Sequence, residues 1–223
     1  MTIDSKRIIE ELQSHKLVDG FSHCLYSYPA RFSPLLAREI ISNFSEVGDC
    51  LYDPFMGGGT LIIEALTSGR FVIGNDINSL SWFVTDCKTS IVNQTEFDAI
   101  ESWLLNFASA NHDRYSSSLS FFSAEIQKHF SIGFLQCLQM LLGSLEEIEN
   151  AKARNIARFL ILITYQRMLA GNSIELPQTE TIKELLADLL KIKNGLKSFI
   201  RGCEIAGVTP TNIESRRILL NES

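Results

Sequence analysis

Metal-site and disulfide spacings are missing from this chain. Its five cysteines (Cys24, Cys50, Cys87, Cys137 and Cys203) form no C-x-x-C pair and are odd in number. That pattern argues against a disulfide framework or a structural zinc site and for reduced thiols. The four histidines (His15, His23, His112 and His129) show no metal-ligand spacing. No apolar run reaches the length that spans a bilayer. The longest, Phe159 to Ile163, is flanked by Arg158 and Arg167 and reads as part of a buried helix. The opening stretch MTIDSKRIIEELQSHK has neither the apolar centre nor the small-residue cleavage site of a secretory signal, so a cytoplasmic location is expected. Positive charge is also scarce: 20 Lys and Arg stand against 26 Asp and Glu, a net charge of −6. Phosphate neutralisation supplies most non-specific nucleic-acid affinity, so a chain this acidic is not expected to be a strong nucleic-acid binder alone. A local basic patch or a basic partner stays open.

What is present is enough for a packed core. The 223 residues are 45% hydrophobic and 21% charged, which fits one domain, or one domain with an elaboration. A first helix is expected over Ser5 to His15. Ser33 then reads as an N-cap with Pro34 at the first helical position, and the apolar spacing predicts a helix over 34–44. CLYDPF (50–55) and FVIGND (71–76) read as buried strands. Between them a glycine-rich turn leads into a helix over 60–68 that Gly69 ends. Strand, glycine loop, helix and strand make a βαβ unit, so the fold class is α/β with parallel strands. Helical patterns follow near 79–91, 96–109, 121–142, 147–169 and 179–206, with Gly133, Gly171 and Gly195 interrupting or ending some of them. NIESRRILLN (212–221) is a candidate third strand. The expected organisation is a βαβ region over 1–95, a helical region over 96–206, and a possible strand in 207–223.

The glycine loop YDPFMGGGT (52–60) narrows the ligand. A phosphate-binding P-loop needs a lysine that this loop does not have. A G-x-G-x-x-G dinucleotide fingerprint starting at Gly57 and Gly59 would place its third glycine at Ile62, where a bulky side chain spoils helix–strand packing. S-adenosylmethionine fits better. It needs backbone that permits close approach, a helix N-terminus for its carboxylate, and an acidic side chain after the next strand for its ribose hydroxyls. Gly57, Gly59 and Thr60 meet the first two needs. Asp76, about 20 residues on, meets the third, and Ile77 would flank the adenine. The plain alternative is a tight strand-to-helix turn followed by a solvated aspartate.

These residues carry a family resemblance. DPFMGGGT (53–60) closely resembles the DPFxGxGT loop of amino-group DNA methyltransferases, which modify adenine N6 or cytosine N4. GNDINSLS (74–81) resembles the GxDINPxA segment that follows it. YSYPARFSPLLAREII (26–41) resembles the aromatic–Pro–Ala–basic–Phe–x–Pro segment that precedes it. The likeness covers about residues 23–80, and YQRMLAGNSIEL (165–176) resembles the family only loosely. The resemblance implies a partial Rossmann-like S-adenosylmethionine methyltransferase sheet with a large helical insertion. It also implies a cofactor site of Tyr28, Ala30, Arg31 and Phe32 upstream, Asp53, Phe55, Gly57, Gly59 and Thr60 in the loop, and Asp76, Ile77 and Asn78 around the adenosine.

A departure from the family matters as much. Such enzymes carry [DNS]PP[YFW], whose side-chain oxygen and proline carbonyl orient the target amino nitrogen while the aromatic ring stacks on the flipped base. The five prolines here (Pro29, Pro34, Pro54, Pro177 and Pro210) are never adjacent. There is also no Pro-Cys dipeptide, the usual signature of cytosine C5 methylation. No catalytic residue is therefore assigned. The resemblance implies the cofactor-binding half of a split enzyme, inactive until a second methyltransferase subunit supplies the tetrapeptide and the next sheet strand. DNA would be reached through the complex, in a restriction-modification setting. A methyltransferase-like scaffold and an RNA methyltransferase subunit are the alternatives. Arg154, Arg158, Arg167, Lys191 and Lys193 could form a phosphate-contacting surface, although such charges usually sit on a solvated helix face.

Overall fold

The structure is a computed structural model that describes residues 5–13, 20–28, 32–109, 119, 122–171 and 178–222. The chain divides into two compact units, Met1–Ile91 with Ile192–Ser223, and Val92–Lys191.

The first unit holds α1 (Ser5–Leu12), α2 (Pro34–Phe44), β1 (Cys50–Asp53), α3 (Thr60–Thr67), β2 (Phe71–Asn75) and α4 (Ser79–Lys88). Later come the end of α9 (Gln178–Ile205), α10 (Pro210–Ile213) and β3 (Arg217–Leu220). Local chemistry sets the bounds of α2: the Ser33 side chain accepts from the Leu36 N–H, and Pro34 begins the helix. The sheet is three-stranded and parallel in the order β1-β2-β3. Its register sets Leu51 beside Val72, and Asp53 beside Gly74 and Leu219. That face packs on a core of Ile41, Ile62, Ile63, Leu66, Phe199 and Cys203. Gly195 does not break a helix as expected. It lies inside α9, where a Cβ would stand 3.2 Å from the Phe21 carbonyl oxygen and 3.3 Å from the Leu25 methyls.

The opposite face carries Cys50, Tyr52, Phe71, Ile73 and Ile218, because side chains alternate along a strand. Tyr52 is 60% exposed, Ile218 53% and Phe71 38%. β1 also pairs on one side only, with β2; among the described residues no strand meets its other edge. The sequence reads β1 as a buried strand, whereas here it is an edge strand with its outer face bare. NIESRRILLN does not close that edge, because its strand adds to the far side of β2. Parallel sheets ordinarily have both faces covered, whereas among the described residues this sheet leaves Tyr52 and Ile218 exposed on one face and the β1 edge unpaired.

Beneath α3 lies a buried charge cluster. Glu64 is 1% exposed; its carboxylate accepts from Arg38 Nε at 2.8 Å and Nη2 at 3.1 Å, and lies 2.8 Å from His23 Nε2. Burial, more than any charge, holds the His23 pKa below its ordinary value, against the pull of Glu64. The imidazole's contribution to stability is therefore present above its unfolded pKa near 6.5 and is lost as pH falls through the lowered folded value. Glu64→Ala is expected to cost about 2–4 kcal/mol in urea unfolding, because His23 cannot rehydrate in place whereas half-exposed Arg38 can swing to water. A cost below the measurement error would show that the cluster does not hold α2 to α3.

The second unit is helical: α5 (Gln94–Ser109), α6 (Ala124–His129), α7 (Ile132–Ser144), α8 (Ala151–Ala170) and the start of α9. The single helix expected over 121–142 is divided, because Ser131 accepts from the Phe134 N–H and caps α7 afresh. Ile100, Leu104, Phe107, Ile156, Phe159 and Leu160 are fully buried, and the Trp103 indole donates to Ser144 Oγ at 3.0 Å. The basic candidates here are ion-paired. Arg154 and Arg158 meet Glu146, and Arg167 and Lys191 meet Asp188. Among the described residues no helix is long and apolar enough to cross a membrane.

Candidate functional site

The C-terminal ends of β1 and β2 point to one place, the crevice where open α/β sheets bind ligands. Between Asp53 and α3 the chain makes a tight loop with Gly57 at φ 49° and Gly59 at φ 75°. Both are left-handed conformations that a side chain disfavours. A Cβ on Gly59 would lie 2.7 Å from Thr85 of α4, so this glycine serves close packing behind the loop.

Asp76 fastens the loop to the end of β2. One carboxylate oxygen accepts from the Gly57 N–H at 2.9 Å and the other from the Asn78 N–H at 2.9 Å. Each oxygen keeps a second lone pair for a ligand. Asp53 accepts from the Phe55 N–H at 3.1 Å. Burial raises its pKa above the ordinary value; the Phe55 N–H opposes the shift and the Asp76 charge adds to it. Two carboxyl groups this close favour a ligand with hydroxyl donors or a positive charge.

These groups line a cavity of about 490 Å³ with Tyr28, Phe32, Phe55, Met56, Gly57, Gly58, Thr60 and Leu61. Seven of the residues marked from sequence thus meet in one place: Tyr28, Phe32, Asp53, Phe55, Gly57, Thr60 and Asp76. Gly59 stands behind the loop. Ile77 is 77% exposed just past Asp76. The Asn78 side chain caps α4 by accepting from the Leu80 N–H, and its amide donates to the Tyr28 hydroxyl at 3.3 Å. Ala30 and Arg31 lie outside the described residues, as do residues 172–176 of the 165–176 segment. Sequence reasoning passed over Met56, Gly58 and Leu61, which interleave the motif and line the same cavity. It also passed over Ser81, Thr85 and Lys88 on α4. Their spacing of four and three marks one helix face, but only the fold turns that face toward the loop.

The DNA methylase family profile matches residues 6–80, which include every residue lining the cavity. Through this segment the chain is similar to the amino-group DNA methyltransferase family. It is similar to the Type II methyltransferase M.MvaI of Kocuria varians, 40% identical over 78 residues, 34% of this chain and 17% of that protein. The Type II methyltransferase M.MjaII of Methanocaldococcus jannaschii is 31% identical over 78 residues, 35% of this chain and 15% of that protein. The orphan methyltransferase M.BamHII of Bacillus amyloliquefaciens is 40% identical over 53 residues, 24% of this chain and 20% of that protein. The match therefore spans a fifth or less of the length of these family members. No solved structure matches. The family segment ends at residue 80, before Ser81, Thr85 and Lys88.

Proposed function

We propose that this chain is the S-adenosylmethionine-binding subunit of a DNA amino-methyltransferase, and that a partner chain carries the catalytic [DNS]PP[YFW]. The observation that carries this reading is the cavity's position at the end of β1, whose outer edge meets no strand among the described residues and whose outer face exposes Tyr52. A strand paired to that edge would end beside the cavity and could deliver the acceptor nitrogen there.

The residues present fit the cofactor. Asp76 would accept from the ribose hydroxyls, Ile77 would flank the adenine, and the glycine loop would meet the carboxylate. The Asp53 and Asp76 carboxyl groups favour a positively charged sulfonium nearby. Tyr28, Phe32 and Phe55 would line the cofactor from the sides of the cavity. The cofactor's contribution is an electrophilic methyl group on a positively charged sulfur. This chain's residues hold and orient it; the partner's would orient the amino nitrogen that attacks. The paired charges of Arg154, Arg158, Arg167 and Lys191 support a division in which the complex, rather than this chain, grips DNA.

Co-expression tests the assembly. A neighbouring reading frame that begins with a strand and encodes [DNS]PP[YFW] should yield a 1:1 complex, and this chain without it should self-associate. The interface should exceed about 1,600 Å², since it covers a sheet edge and a sheet face together. A monodisperse monomer that ignores such a partner would favour a methyltransferase-like scaffold instead.

A further inference from the structure

The glycine loop has used nearly all its own acceptors. The Met56 carbonyl accepts from the Gly59 N–H at 2.7 Å, and the Gly59 carbonyl from the Ile63 N–H at 3.0 Å. The two carbonyls between them are held from α4: Gly57 O by Thr85 Oγ1 at 3.3 Å, and Gly58 O by Lys88 Nζ at 2.6 Å. Among the N–H groups, Met56 donates to Asn75 O, Gly57 to Asp76 and Gly59 to Met56 O. The N–H groups of Gly58, Thr60 and Leu61 have no acceptor among the described residues, and all three residues line the cavity. A trans peptide sets its N–H opposite its C=O, so the Gly57 carbonyl turned toward Thr85 directs the Gly58 N–H away from α4. The Gly57 and Gly58 carbonyls are thus turned behind toward α4, and the Gly58 N–H, with the open Thr60 and Leu61 N–H groups, gives the cavity a donor side.

Lys88 is the unusual member of this arrangement. Its residue is 2% exposed, although burying an ammonium group costs several kcal/mol unless nearby groups compensate. It places a positive charge directly behind the loop, against the Gly58 carbonyl, where its field favours an anion on the loop's other side. We infer that Lys88 is a positioning residue for the ligand's carboxylate, which the donor side of the glycine loop receives. This rests on the S-adenosylmethionine reading and assigns a role beyond the family segment, which ends at residue 80.

The test compares two ligands on the full chain by calorimetry: S-adenosylhomocysteine, which has the amino-acid carboxylate, and 5′-methylthioadenosine, which does not. Lys88→Met should weaken the first about tenfold and the second less than about twofold, the scale of one net hydrogen bond lost at one end of the ligand. Lys88→Arg, which keeps the charge and a donor, should restore most of the loss. Equal weakening of both ligands, or of neither, overturns the inference and leaves the cofactor reading standing. Wild-type protein that binds neither ligand overturns both. If Lys88→Met loses its thermal transition, Thr85→Val, which frees only the Gly57 carbonyl, carries the same comparison with the same selective loss expected.

Discussion

Purified alone, the chain is expected to transfer no methyl group to any DNA, and adding a chain that carries [DNS]PP[YFW] should restore transfer. An amino nitrogen on a base is a poor nucleophile while it is paired and stacked. Reaction requires the base to leave the helix and its nitrogen lone pair to face the methyl carbon. Holding that geometry is worth effective molarities of about 10⁵ M or more, so a protein without the orienting group should sit orders of magnitude below the complex. The cavity contains groups suited to gripping a cofactor and lacks the tetrapeptide suited to gripping a base. Labelled-methyl incorporation is the measurement. Robust incorporation by the isolated chain would place the active site within these 223 residues and end the split-enzyme reading.

The second large effect belongs to the loop's fastening. Asp76→Ala should weaken S-adenosylmethionine binding by roughly 1.5–3 kcal/mol, the range for a hydrogen bond to a charged group. The same change releases the Gly57 and Asn78 N–H groups, so the thermal midpoint should fall as well. Gly57→Val acts by another route. Its backbone lies at φ 49°, and a Cβ there would stand 3.4 Å from the Tyr28 ring. A β-branched residue is strained in that conformation and pushes its methyls into the cavity wall. Helices of the second unit should keep their circular dichroism while binding is lost. Unchanged cofactor affinity in both variants, with the partner present, would sink the site assignment.

Local chemistry carried much of the fold in readable form. The bounds of α2 follow from Ser33 and Pro34, and the structure places that helix over Pro34–Phe44. The strand, glycine loop, helix and strand over residues 50–76 follow from apolar runs divided by glycines, and the parallel pairing of β1 with β2 is the βαβ consequence. Where two weak local signals competed, tertiary packing decided. Gly195 looks like a helix stop but is a contact point for Phe21 and Leu25 within α9. Ser131 looks like one more helical position but caps a new helix.

By itself, then, the sequence determined the α/β class, the likeness to a family over residues 6–80, and the set of loop residues that line one cavity. It could do so because turn formation, capping and backbone approach depend on residues a few positions apart. Only the tertiary structure decided which glycine opens to the cavity and which packs on Thr85. The same holds for Glu64, buried between His23 and Arg38, and for Lys88 behind Gly58. It also placed β3 beyond β2, so that among the described residues the β1 edge is unpaired and Tyr52 and Ile218 stay exposed. Those outcomes join residues 26 or more positions apart, and no local pattern encodes which side of a strand a distant segment will join.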